Sequence, residues 1–130
     1  MKKHRTYKQA LGAKAYYAGQ IAEYIAIVYL LLKGYRLLAH HQRTPFAELD
    51  LIVKRGKMII LVEVKHRISL DDAVFSLQPA QLGRLEKGFS WWLAQHHLAD
   101  QGVIRMDLLA VGFYRLPRHI KNISMMNYNA

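Results

Sequence analysis

Residues 48–65 read ELDLIVKRGKMIILVEVK, two apolar runs on either side of the basic turn Lys54-Arg55-Gly56-Lys57. Runs rich in Leu, Ile and Val around a glycine-containing turn predict strands over 47–53 and 58–65, joined as an antiparallel hairpin. Side chains alternate along a strand, so Ala47, Leu49, Leu51 and Val53 are expected on one face and Glu48, Asp50, Ile52 and Lys54 on the other. A two-residue loop at Gly56-Lys57 would set Asp50 opposite Glu63 and Glu48 opposite Lys65, whereas a loop at Arg55-Gly56 would oppose Glu48 and Glu63. In either register Glu48, Asp50, Glu63 and Lys65 share a face. The chain has nine acidic residues against nineteen Lys and Arg, so three acids inside one mostly apolar hairpin require a reason.

Two carboxylates facing each other across a ladder, with Cβ atoms about 5 Å apart, repel unless positive charge lies between them. A hard divalent cation, Mg²⁺ or Mn²⁺, meets that need, and Lys65 stands one strand period beyond Glu63, within reach of the same water or phosphate. The competing reading is a surface ion-pair ladder of Glu48 with Lys65 and of Asp50 with Arg55 or Lys57.

Working outward, residues 1–14 are polar and basic without hydrophobic period, which predicts a basic flexible arm and leaves 15–130 as one α/β domain. A helix is expected to run to about residue 33, with Ile21, Ile25, Val28 and Leu32 as its core stripe and Gly34 as its stop. Its unbroken apolar part covers only 25–32, and Gln20 and Glu23 interrupt what precedes it, so it reads as a buried helix and not as a membrane span. Glu23 is the lone charge in that helix. A carboxylate there must find a base or a polar site: the acidic end of the hairpin, or alternatively a buried ion pair with Arg43 or Arg105.

A strand over 35–41 precedes the hairpin and breaks at Arg43-Thr44-Pro45. After it, Ser69-x-x-Asp72 marks a helix start in which Asp71 and Asp72 act as capping groups. A longer helix over 79–97 places Leu82, Leu85, Phe89, Trp92 and Leu93 on one side. A strand over 103–114 follows, with a short edge at 119–123. The order α-β-β-β-α-β describes a mixed central sheet flanked by helices.

The net charge of +10 and the pI near 10.0 point to a polyanionic partner, nucleic acid first and an anionic membrane surface second. The chain has no cysteine, which excludes disulfides and thiolate zinc sites and agrees with a cytoplasmic protein. The pairs His40-His41 and His96-His97 invite a metal reading. Adjacent strand residues point to opposite faces, however, and adjacent helix residues diverge by about 100°, so neither pair is expected to chelate one ion. His66 is expected on the opposite face from Lys65. Trp91, Trp92 and Phe89 are read as core, although an exposed tryptophan would stack on an unpaired base.

The ordered set Gly19-x-x-Ala22-Glu23-x-x-Ala26-x-x-Tyr29-Leu30-x-x-x-Gly34-Tyr35, Arg43, Glu48-Leu49-Asp50-Leu51-Ile52, Val62-Glu63-Val64-Lys65-x-Arg67 and Arg105-x-Asp107 resembles the bacterial YraN-like family of uncharacterised proteins. That family is similar to minimal members of the PD-(D/E)XK nuclease superfamily and to archaeal Holliday-junction resolvases. The resemblance implies a single restriction-endonuclease-like domain that hydrolyses phosphodiester bonds of DNA, branched or structured DNA included. It implies that Asp50 and Glu63 bind Mg²⁺ or Mn²⁺ with the Val64 carbonyl, that Lys65 activates the attacking water, and that Glu23 is the helix-borne acid completing the site. Glu48 and Gln81 would support it, and Arg43, Lys54, Arg55, Lys57, Arg67, Arg84 and Lys87 would contact nucleic acid. Two cuts at a junction imply a homodimer. The chain departs from the pattern at Ala47, where a glycine is usual, at Leu49, where the superfamily has proline, and at Gln81-Leu82, where the family tends to carry Lys-Gln. The alternative is a non-catalytic nucleic-acid-binding protein that keeps the fold.

Overall fold

The hairpin closes at Gly56-Lys57, with Arg55 opposite Met58 and Leu51 opposite Val62, the first of the two registers the sequence allows. Gly56 sits at φ +59°, a left-handed conformation that costs glycine little. The structure, a computed structural model, describes residues 2–100, 102–113 and 115–124, and the main chain alone for 2–11. Its elements are α1 (Lys2–Leu32), β1 (Arg36–Arg43), β2 (Glu48–Arg55), β3 (Met58–His66), α2 (Leu70–Phe75), α3 (Pro79–Gln95), β4 (Val103–Val111) and β5 (Arg118–Ile120).

The sheet runs in the order β1-β2-β3-β4-β5. Only β3 and β4 are parallel, and the crossover between them carries α2 and α3, as a parallel pair requires. The expected mixed sheet flanked by helices is therefore present, with β5 as the short edge strand and α2 capped by Ser69, whose Oγ accepts from the Asp72 N–H at 3.1 Å. β4 ends at Val111; Tyr114, to which that strand was expected to run, lies outside the described residues. On one face Leu82, Leu85, Phe89, Trp92 and Leu93 of α3 pack on Ile52, Ile59, Leu61 and Leu108. On the other, Ala22, Ala26 and Leu30 of α1 pack on Leu51, Val53, Ile60, Val62 and Leu109.

Two expectations about α1 are corrected. It begins at Lys2, so the segment read as a flexible arm starts as helix, in keeping with its Lys, Gln, Ala and Leu content and its lack of proline. The core stripe is also different: Ala22, Ala26 and Leu30 are buried, while Ile21, Val28 and Leu32 are 50%, 55% and 84% exposed. Small alanines let the helix axis lie close to the sheet, and the larger aliphatic side chains turn outward beside Tyr16, Tyr17 and Tyr24. By length and composition Gly12–Leu32 could cross a membrane, and only 22% of that window is buried, so α1 covers the sheet with one narrow strip. The helix ends at Gly34 (φ +91°), where the Tyr35 N–H reaches the Leu30 carbonyl at 3.0 Å and the Gly34 N–H reaches that of Leu31 at 3.1 Å, a Schellman stop.

Ala47 stands against Gly88 of α3. A Cβ on Gly88 would lie 2.7 Å from Thr44 Oγ1 and 3.6 Å from the Ala47 Cβ. The Thr44 hydroxyl cannot swing away freely, because it donates to the Ala47 carbonyl at 2.6 Å and accepts from the Ala47 and Phe46 N–H groups. Gly88→Ala is expected to destabilise the fold by about 1–3 kcal/mol through overpacking. A lowered denaturant midpoint would show this. An unchanged midpoint would refute the packing.

Candidate active site

The acids gather because the hairpin opens. β2 and β3 pair from Arg55 and Met58 only as far as Leu51 and Val62. Beyond that point β2 stays with β1, through Leu49 and Glu48, while β3 stays with β4 as far as His66. Asp50 and Glu63 stand at the mouth of this fork. The Asp50 Oδ2 accepts the Val64 N–H at 3.0 Å, a side-chain bond where the ladder would otherwise continue. Strand parity slips here: Leu49 packs on the α3 side and Leu51 on the α1 side, so the shared apolar face expected for Ala47, Leu49, Leu51 and Val53 is split. The carboxylates meet because the ladder opens, and not because alternation holds.

Asp50, Glu63, Val64 and Lys65 line one cavity of about 330 Å³, roofed by Glu23, Ala22 and Gly19 of α1. Glu63 is buried, at 6% exposure. Burial pushes its carboxyl up to about 10, a hydrogen bond to Asp50 and the charge of Asp50 add to the rise, and Lys65 opposes it. Without a cation Glu63 thus keeps its proton beside Asp50. This donor set fits a hard divalent ion, which would replace that proton, and the residues that would hold it are Asp50, Glu63 and the Val64 carbonyl.

The raised Glu63 sets a pH dependence of stability. The unfolded chain releases this proton near 4.5 while the folded chain keeps it to about 10, so the metal-free fold loses stability as pH rises through that window. Glu63→Gln, neutral throughout, is expected to be more stable than wild type at pH 8 by roughly 2–4 kcal/mol and equal to it at pH 4. Thermal melts of the metal-free proteins at both pH values check this; a variant less stable at pH 8 would show that Glu63 is ionised there.

Glu23 points to the site from α1, but its partners are histidines. His41 Nε2 lies 2.5 Å and His40 Nε2 3.7 Å from Glu23 Oε2. The proposed pair with Arg105 is not formed, since Arg105 is bonded to Asp107, and Arg43 is exposed at the end of β1. Glu48 is exposed and contacts His41 Nδ1 at 3.2 Å, so the ladder of Glu48 with Lys65 is not the arrangement found. Burial lowers the His41 pKa, but hydrogen bonds to Glu48 and Glu23 outweigh it and hold the imidazole above its ordinary value.

The premise that His40 and His41 point to opposite faces of the strand is corrected. His41 adopts φ +53°, which breaks strand alternation and brings its ring beside that of His40, with centroids 4.3 Å apart. Nothing in the residue pattern signals that conformation. His66 stacks on Phe113 at 4.1 Å and lines the site cavity as well as a larger one, about 830 Å³, that also contains Arg67, Ile68, Phe75, Phe113 and Arg115.

Other expected residues lie elsewhere. Lys54, Arg55 and Lys57 are at the closed end of the hairpin, roughly 15 Å from Asp50 at 3.3 Å per residue, and Arg55 lies over the Tyr35 ring. Gln81, Arg84 and Lys87 are on α3, across the sheet from α1. Of the basic residues expected to contact nucleic acid, Arg43, the ladder partner of Glu48, and Arg67, just past the end of β3, are at the open end of the fork. Trp92 is buried and donates to Gln42 Oε1 at 3.1 Å; Trp91 is half-buried.

Fold and site together define a single-domain α/β protein with an open mixed sheet, whose carboxylate cluster lies in a strand fork under the first helix. The chain belongs to the uncharacterised protein family UPF0102, whose profile matches residues 22–111, in agreement with the YraN-like resemblance. It is 41% identical over 107 residues to a UPF0102 protein of Rhizobium meliloti, covering 82% of this chain and 88% of that one. It is 41% identical over 106 residues to one of Bradyrhizobium diazoefficiens, covering 82% and 80%. With one of Caulobacter vibrioides the identity is 37% over 113 residues, covering 87% and 90%.

Proposed function

We propose that this protein is a metal-dependent endonuclease of the PD-(D/E)XK type, acting on DNA in the cytoplasm with Mg²⁺ or Mn²⁺. The observation that carries the reading is the fork, in which Asp50 and buried Glu63 are held within hydrogen-bonding distance beside Lys65 in one cavity. A bound divalent ion would stabilise charge on the pentacovalent phosphorus and favour ionisation of the attacking water. In this scheme Asp50 and Glu63 hold the ion, Val64 fixes Asp50 through its N–H, and Lys65 orients the water and offsets phosphate charge.

The larger cavity bears on substrate class. Phe75 is 80% and Phe113 44% exposed, and Arg67 and Arg115 lie with them next to His66. Exposed rings among cations suit unstacked bases, each stacking contact contributing about 1–3 kcal/mol. We therefore place branched or partly single-stranded DNA ahead of plain duplex. Paired cuts at a junction need two sites, so the reading includes a homodimer.

Incubation of the purified protein with branched, single-stranded and duplex DNA in Mg²⁺ or Mn²⁺ tests this. Cleavage that leaves 5′-phosphate ends and stops on chelation is expected. Binding of the same DNA with no cleavage in either metal would leave the non-catalytic alternative, a nucleic-acid-binding protein on the same fold.

A further inference from the structure

We propose that Glu23, His40 and His41 form a second cation site, one that takes a transition ion such as Zn²⁺ through two imidazole nitrogens and one carboxylate oxygen. The three ligand atoms lie within 4.8 Å of one another. Donors about 2.0–2.2 Å from a tetrahedral ion stand roughly 3.3–3.5 Å apart. The separations of 2.5 and 3.7 Å from Glu23 Oε2 bracket that value, so small side-chain adjustments close the shell. A mixed nitrogen and oxygen set favours Zn²⁺, Co²⁺ or Mn²⁺ over Mg²⁺, which the all-oxygen fork suits.

Three further features point to a ligand. The His41 backbone is held at φ +53°, a conformation uncommon for a residue other than glycine, and it is this that sets both rings on the Glu23 side of β1. His40 Nε2 is buried and has no hydrogen-bond partner, which leaves its polar atom unsatisfied beside a carboxylate. Glu48 Oε1 lies 3.2 Å from His41 Nδ1, the carboxylate–histidine arrangement that fixes a ligating ring with its other nitrogen toward the metal. His41 is 42% exposed at its side chain, so water or a phosphate oxygen can take the remaining position.

Glu23 and His41 line the same cavity as Asp50 and Glu63, so the two ions would be neighbours. The inference goes beyond the nuclease reading and does not depend on cleavage: it uses residues outside the fork, and its readout is metal binding alone.

The test uses the full-length, metal-free protein with Co²⁺ as spectroscopic probe and Zn²⁺ as competitor. Wild type is expected to give visible cobalt bands that excess Mg²⁺ does not remove and Zn²⁺ does. The bands should be lost in Glu23→Gln and His41→Ala, with folding checked by circular dichroism, and retained in Asp50→Asn. Glu48→Gln should weaken binding about tenfold without abolishing it. NMR of the wild-type chain supplies a readout that needs no variant, since Zn²⁺ should shift the ring resonances of His40 and His41. Absence of such bands in wild type, bands unchanged in His41→Ala, or no shift of those two rings would overturn the assignment. Loss of DNA cleavage with the cobalt site intact would count against the nuclease reading and leave this one standing.

Discussion

Asp50→Asn is expected to cut DNA in Mg²⁺ on the order of a thousandfold more slowly than wild type, with folding unimpaired. Asparagine preserves the shape and the acceptor that takes the Val64 N–H but removes the anionic oxygen a hard cation requires. Losing a bound ion forfeits several kcal/mol of transition-state stabilisation, and each 1.36 kcal/mol is about tenfold in rate. Lys65→Ala should lower the rate by about a hundredfold, a typical share for one positioned proton-handling group, while leaving metal affinity nearly unchanged. Single-turnover cleavage with metal titration separates the two effects. Equal rates for wild type and both variants would remove Asp50 and Lys65 from any catalytic role.

Asp107→Ala is expected to cost about 3–5 kcal/mol, a large part of the 5–15 kcal/mol typical of a folded domain. Asp107 is wholly buried, and all its bonds are internal. It accepts from Arg105 Nε and a second guanidinium nitrogen at 2.8 Å each, meets His119 Nε2 at 2.7 Å, and takes the Asn122 N–H at 2.9 Å. This joins β4 to β5 and, through the Arg105 guanidinium and the His119 ring, to Tyr35 at the end of α1. Alanine would leave the half-buried Arg105 guanidinium without its counter-charge and the His119 ring and the Asn122 N–H without their acceptor, and that cost exceeds the worth of the pair.

Burial alone would raise the Asp107 pKa, but the bonds from His119, Arg105 and the Asn122 N–H outweigh it and hold the carboxyl below its ordinary value of 3.8. An acid with a depressed folded pKa contributes stability above its unfolded value and loses that contribution as pH falls through the folded one. Wild type should therefore lose stability steeply below pH 4, and Asp107→Ala should show a shallower acid limb from a lower plateau. Denaturant midpoints from pH 2 to 7 test both points; a variant within 1 kcal/mol of wild type at pH 7 would contradict the role.

Much of the architecture was legible because it follows from local periodicity. Apolar runs around a glycine turn specify a hairpin, and Leu82, Leu85, Phe89, Trp92 and Leu93 repeat with helical spacing, so their burial against the sheet was expected and found. The α1 stripe was misread for a physical reason. Hydrophobic spacing favours the largest aliphatic side chains, whereas a helix lying close to a sheet presents its smallest ones, here Ala22 and Ala26. The candidate site was legible in part. Scarcity of acids drew attention to Glu48, Asp50 and Glu63, and isolation in an apolar helix to Glu23; Asp50, Glu63 and Glu23 line one cavity, and Glu48 does not.

The sequence by itself determined the hairpin and its two possible registers, the main helices and strands, the excess positive charge and the identity of the acids, because each depends on neighbouring residues or on composition; the register was chosen by the structure. Only the tertiary structure decided how those acids meet. The strand fork at Leu51 and Val62 depends on β2 following β1 while β3 follows β4, and that competition between partners distant in sequence is invisible to local pattern. The same holds for His41, whose left-handed backbone places it beside His40 and Glu23: alternation describes a regular strand, and this part of the strand is not regular.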